Sequence, residues 1–402
     1  MARLMDTPWL RTRLFVQMFL QFAVWGSWAP VLSVHLQEIG LGPEASSSIL
    51  GTAALATIIA PLIAGQIADR WFATERFMAL SFLASAALFF VASRTEDPTA
   101  LWWLALGAML FFAPTLALGN SISFHHLGEQ RAQFAWIRAG GTVGWIASGW
   151  ILSAWMKLTG RPIGDCLLLG AAFAFVNAVY CLTLPHTPPR RDAVEPFAVG
   201  KALRMLTDSS FALLTLLAFA MMVFATFYYF RAGNFFVDAG VKKEDVPTVM
   251  SIGQFAEIAT MAVLPPVFQR LGAKKTIALG VAAWALRFGL FALGQPLWLM
   301  VAAQALHGVC FAFAIAGTMI FVERVSAPDV RASAQSLLTL VTYGLGMWAG
   351  SVLLGKVAAA HTVEGVSDWA SIWKVPAWGC AAVLVVFLAG FRPRDPAVRG
   401  PG

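Results

Sequence analysis

Two sets of polar side chains stand inside long apolar stretches of this 402-residue chain, each with the spacing of a single helix face. Arg138, Thr142 and Trp145 fall at i, i+4 and i+7, which sets a guanidinium, a hydroxyl and an indole side by side. Gln254 and Glu257 fall at i and i+3, pairing an amide with a carboxylate. A guanidinium donates hydrogen bonds from a rigid fork, an amide both donates and accepts, and an indole offers a flat apolar face. Such a set suits a neutral, flat, hydroxylated solute, and Glu257 is the group able to take up and release a proton. A second reading stays open, in which Arg138 and Glu257 form a structural ion pair between two parts of the chain.

An ionisable group near the centre of a bilayer costs at least about 2.5–3.5 kcal/mol, so each one asks for a function or a partner. Arg287 lies beside Trp284 and Phe288 near a helix end, where snorkelling or a structural pair is expected. His307 has Phe311 at i+4, and histidine titrates close to physiological pH. A cavity-facing proton carrier and a satisfied core histidine both fit that position. Gln21 and Asn120 are either cavity groups or hydrogen bonds between helices. Phe227, Tyr228, Phe230 and Asn234 belong to one stretch whose aromatics either stack on a flat ligand or only pack. Glu323, near Arg324 and Arg331, reads as a gate or loop salt bridge.

The elements that must position these groups are membrane helices. The chain is 59% hydrophobic and 12% charged, with a mean hydropathy of +0.72. A soluble domain is about a quarter charged, so most of this surface faces lipid. A bilayer core of about 30 Å takes about 20 apolar residues as a helix. Twelve such windows are predicted, at 14–36, 46–68, 76–93, 99–123, 135–157, 165–185, 211–232, 247–268, 276–294, 297–321, 332–355 and 370–391. Barrel strands would alternate strictly over about ten residues, and runs such as Ala53-Ala54-Leu55-Ala56 do not. The expected fold is all-α. The first apolar run follows Arg11 and Arg13 but offers no small-residue cleavage site, so it is read as a spanning helix that is retained.

Most of the 28 basic residues fall in loops on the side of the two termini, which places both ends in the cytoplasm. The polar, proline-rich stretch 186–209 divides the windows into six and six, giving predicted domains at 1–185 and 210–402 around a linker. The loop at Asp69 and Arg70 and the loop at Arg270, Lys274 and Lys275 take corresponding places in the two halves and are expected to form a cytoplasmic gate. Two six-helix repeats related by an axis along the membrane normal resemble the major facilitator superfamily. If the repeats enclose a central cavity, Arg138 and Glu257 would enter it from opposite halves.

Several classes are excluded. Cys166, Cys181, Cys310 and Cys380 all lie in apolar windows, where they read as packing residues rather than a disulfide framework. No glycine-rich phosphate loop with lysine is present, so the chain is not an ATP-driven pump domain. No cysteine or histidine spacing suggests a metal site, and neither metal nor cofactor is expected. The formal charge of +7 is spread over loops that set topology, which argues against nucleic acid. No nucleophile–base pair marks an enzyme.

Particular segments resemble the nucleoside:proton symporter family over nearly the whole chain. They include Gln21-Phe22 with Trp25-Gly26-Ser27-Trp28, Pro114-Thr115-Leu116 with Asn120, Ile137-Arg138 with Gly141-Thr142-Val143-Gly144, Gln254 with Glu257, Ala283-Trp284 with Leu286-Arg287-Phe288, and Phe321-Val322-Glu323. The resemblance implies a bacterial inner-membrane permease, expected as a monomer, that imports nucleosides with protons by alternating access. It also implies that Arg138, Thr142, Gln254 and Glu257 touch the solute. Trp145, Phe227, Phe230, His307 and Phe311 complete the expected binding set, with Glu257 and His307 as proton carriers. Two departures stand out. Phe227 and Phe230 occupy places where the family has amides, and His307 and about Ala312 fall where it has a tyrosine and an acid. The altered seventh window keeps another solute class open, such as a sugar, a nucleobase or a drug-like compound, moved without protons or by antiport.

Overall fold

The computed structural model describes residues 8–63, 72–128, 133–189, 203–327 and 330–392. Asp69 and Arg70 lie outside them. The chain opens with α1 (Pro8–Trp28) and α2 (Leu32–Glu38), then α3 (Pro43–Ile63), α4 (Thr74–Ala92), α5 (Pro98–Leu127), α6 (Phe134–Thr159) and α7 (Asp165–Cys181). The second half has α8 (Ser209–Asp238), α9 (Val246–Leu293), α10 (Leu297–Ala303), α11 (Leu306–Val309) and α12 (Gly317–Val325), followed by α13 (Arg331–Thr339), α14 (Met347–Ala360) and α15 (Trp369–Gly390). A π-helical turn at Cys310–Ala316 joins α11 to α12, and another at Leu340–Gly346 joins α13 to α14.

Local chemistry sets many of the boundaries. Asp97 accepts from the Ala100 amide at 2.6 Å, with a proline at the start of α5. Asp208 caps α8 through the amides of Ser210 and Phe211, and Asp368 caps α15 through that of Ser371. Two predicted windows, 247–268 and 276–294, are the two helical parts of α9, which meet at a break at Gly272, where φ is 73° and ψ 168°. A departure is a short antiparallel pair, β1 (Thr362–Val363) with β2 (Val366–Ser367), in the loop between α14 and α15, where the other described elements are helical. Its turn puts Glu364 at φ 51° and Gly365 at φ 82°, a two-residue hairpin too small to leave a periodic signal.

Eight segments among the described residues are long and apolar enough to cross a membrane, one of them containing both parts of α9. Their outward faces carry Leu80, Phe90, Trp103 and Val385, all exposed, as a lipid-facing surface requires. The protein is a multi-pass membrane protein.

The chain divides into two compact units, one of Met1–Val194 with Val241–Thr248, the other of Glu195–Gly240 with Val249–Gly402. In the first, α1 and α6 pack closely because glycines line their contact. A Cβ at Gly144 would strike the carbonyl of Phe19, and one at Gly26 would lie 2.7 Å from the backbone of Trp145. Within the same unit Lys243 pairs with Glu38 at 2.5 Å and Lys157 with Asp245 at 2.6 Å. In the second unit the core is aromatic, with Trp284, Phe288, Phe291 and Trp373 fully buried among the rings of Phe235 and Phe236.

Candidate functional site

In the first unit, α6 carries Arg138, Thr142 and Trp145 along one side. The Arg138 guanidinium lies over the Phe22 ring of α1, 4.3 Å from its centroid. Trp145 meets Trp25 edge-on at 5.5 Å, and Trp25 in turn meets Phe112 of α5. Arg138 is exposed, while Thr142 and Trp145 are half-buried. The face therefore presents a cation, a hydroxyl and aromatic edges, held in place by the close approach of α1.

Gln21 does something different. Its side-chain oxygen accepts from Gln17 at 2.6 Å, and its nitrogen donates to the Thr115 carbonyl at 3.2 Å, with both glutamines fully buried. It is a hydrogen bond between helices, the alternative to a cavity group. Asn120 is exposed on α5.

The second unit holds a polar cluster assembled from α8, both parts of α9, α11 and the turn that precedes it. The early part of α9 supplies Gln254 and Glu257, both half-buried, and the Gln254 side-chain oxygen has no hydrogen-bond partner among the described residues. Glu257 Oε2 lies 3.7 Å from His307 Nε2. On the other side of that ring, Arg287 Nη1 lies 3.1 Å from His307 Nδ1. Arg287 Nη2 also donates to the side-chain oxygen of Gln304, whose nitrogen is 3.2 Å from the Met250 sulfur. The Arg287 guanidinium rests 3.7 Å from the centroid of Tyr228, with Trp284 and Phe291 further out. Tyr228 also packs on the His307 ring at 5.1 Å.

Of the two expectations for Arg287, snorkelling or a structural pair, the structure favours the second. Its side chain is wholly buried, because three rings and two polar acceptors surround it where an extended side chain would have to reach the interface. Sequence reasoning missed Gln304, an amide one turn before His307 that the rule selecting Gln254 would also have found. Tyr229, whose ring lies 6.3 Å from His307, was missed as well.

The other expected residues are placed as follows. Phe311 is half-buried, 6.3 Å from the His307 ring. Phe227 is fully buried and Phe230 nearly so, inside the packing of the second unit. Asn234 is buried at the far end of α8. Glu323 pairs with Arg331 at 3.4 Å. Arg270 and Lys275 are exposed, and Lys274 donates to the Leu388 carbonyl at 2.6 Å. All four cysteines are buried and unbridged.

The fold is that of a crystallised nucleoside transporter, NupG, with a TM-score of 0.86 at 26% identity over 96% of this chain and all of that one. Helical spans, buried ionisable groups and this likeness define a secondary transporter of the major facilitator type. The xanthosine permease of Escherichia coli is 31% identical, covering 94% of this chain and 95% of its own length. The nucleoside permease NupG of the same organism is 30% identical, covering 95% and 96%. The sequence profile described as "Nucleoside H+ symporter" matches residues 9–396, and the chain belongs to that family.

Proposed function

We propose that this protein imports nucleosides together with protons by alternating access across a bacterial inner membrane, as a monomer with both termini in the cytoplasm. Arg138, Thr142 and Trp145 in the first unit and Gln254 and Glu257 in the second are the solute contacts. The open acceptor on Gln254, one turn before an ionisable carboxylate, carries this reading: a nucleoside brings N–H and O–H donors to match it, and Glu257 answers for the proton. Phe311 adds an aromatic wall, and Phe227 and Phe230 shape the helix behind the site rather than touching solute. Arg270, Lys274 and Lys275 are the described members of the cytoplasmic gate, which Asp69 and Arg70 complete.

The test is uptake of labelled nucleosides into proteoliposomes with an imposed pH gradient. The native protein accumulates nucleoside against its gradient when the outside is acidic. Glu257→Gln retains exchange of nucleoside across the membrane but loses accumulation driven by the gradient. Full gradient-driven accumulation by Glu257→Gln removes Glu257 from the coupling step, and no uptake of any nucleoside by the native protein removes the substrate assignment.

A further inference from the structure

Arg287 is wholly buried at membrane depth and takes no part in the mechanism above, so its retention needs a reason. Its geometry supplies one. A guanidinium has donors and no acceptor, so the 3.1 Å contact from Nη1 requires His307 Nδ1 to be the bare, accepting nitrogen. The ring proton then sits on Nε2, the atom that faces Glu257 at 3.7 Å. A second proton on the ring would have to enter at Nδ1, directly against a fixed cation. Gln304 holds the other arm of the fork and Tyr228 lies under it, so the guanidinium cannot swing aside without abandoning both.

We infer that Arg287 is a positioning residue for proton coupling: through His307 it fixes a neutral, Nε2-protonated imidazole that donates toward Glu257 and does not itself carry the transported proton. This rests on the reading of Glu257 as the coupling group, and it reassigns His307 from carrier to donor. Among the described residues, the remaining titratable groups around the cluster are Tyr228 and Tyr229 from α8, Cys310 beside Arg287, and Tyr343 from the second π-helical turn. None of them places a second anion beside His307 to compensate Arg287.

The sign of the effect follows. With Arg287 replaced by a neutral residue, the imidazole is free to take a proton at Nδ1, and the resulting imidazolium beside Glu257 favours its ionised form. An opposite charge at such a distance moves a carboxylate by about one to three pH units, so the acidic limb of the transport pH profile moves to lower pH by that amount.

Two measurements test this. In full-length protein labelled with 15N-histidine, the His307 signals are assigned as those lost in His307→Gln. They should show an unprotonated Nδ1 and a protonated Nε2, unchanged between about pH 5 and 8. An Nδ1–H tautomer, or an imidazolium in that range, overturns the inference even if no Arg287 variant folds. In proteoliposomes, nucleoside exchange by Arg287→Gln should show a profile displaced by at least about one unit to acid, while Arg287→Lys, which keeps the charge, stays near the native profile. Equal profiles for native protein and Arg287→Gln, or equal displacement in both variants, refute it. Failure of nucleoside transport with the expected tautomer intact would instead count against the function proposed above.

Discussion

The distance between Glu257 and His307 is set by two glycines, and substituting each in turn separates stability from coupling. A Cβ on Gly308 would collide with the backbone carbonyl of Ala256 and lie 2.6 Å from Thr260 Oγ1. Ordinary contact is about 3.5 Å, so the two helices must part by roughly 1 Å. Glu257 follows Ala256 directly, and an opening of that size carries its 3.7 Å contact with His307 beyond the ~4 Å at which such a pair counts. Overpacking of this kind costs about 1–3 kcal/mol. The upper end applies here because a backbone carbonyl cannot rotate away. Alanine returns about 1 kcal/mol of helix propensity relative to glycine, leaving Gly308→Ala destabilised by about 2 kcal/mol. At Gly253 the three atoms nearest the new Cβ all belong to the His307 side chain, at 3.1–3.3 Å. A shift of a few tenths of an ångström relieves that, so Gly253→Ala should unfold near the native temperature while its displaced imidazole alters the pH profile. Thermal unfolding of both variants in detergent, alongside exchange measured from acid to neutral pH, reads the two effects separately. A Gly308→Ala protein with native melting temperature and native pH profile would refute the argument that this contact sets the geometry.

Gln304→Leu leaves an Arg287 donor unpaired in a buried site and should destabilise the protein by about 1–3 kcal/mol or more, measured as the loss of unfolding temperature. Arg138→Lys keeps the charge but loses the planar group stacked over Phe22, and should raise the KM for nucleoside more than it lowers kcat. Lys243→Ala breaks an ion pair at the protein surface and should change stability by less than about 1 kcal/mol in a denaturation scan at moderate salt.

The helices were readable from the sequence because uncharged apolar windows of membrane length rarely arise in soluble folds. Their starts are set by single side chains such as Asp97 and Asp208, which composition does not weigh, and α8 spans Ser209–Asp238 where the window is 211–232. The break within α9 was legible because Gln269, Arg270, Lys274 and Lys275 interrupt two apolar windows, and Gly272, with its non-helical geometry, falls between them. Among the proposed site residues, Arg138, Thr142, Gln254 and Glu257 were visible as polar groups at helical spacing. The partner of Arg287 was not, because spacing within one helix says nothing about which neighbouring helix approaches it. Gln304 and His307 meet Arg287 across helices, and only packing brings them together.

The π-helical turn at Cys310–Ala316 has a consequence for the helix that carries His307. Each such turn holds one residue more than the regular spiral, and a residue subtends about 100° around the axis. His307 and Glu323 therefore lie on opposite sides of a phase slip, and a helical wheel drawn through both assigns one of them to the wrong azimuth. Removing a single residue between Cys310 and Ala316 would restore a continuous spiral. It would leave His307 where it is and rotate the Glu323 end by about 100°, turning the salt bridge to Arg331 away from its partner.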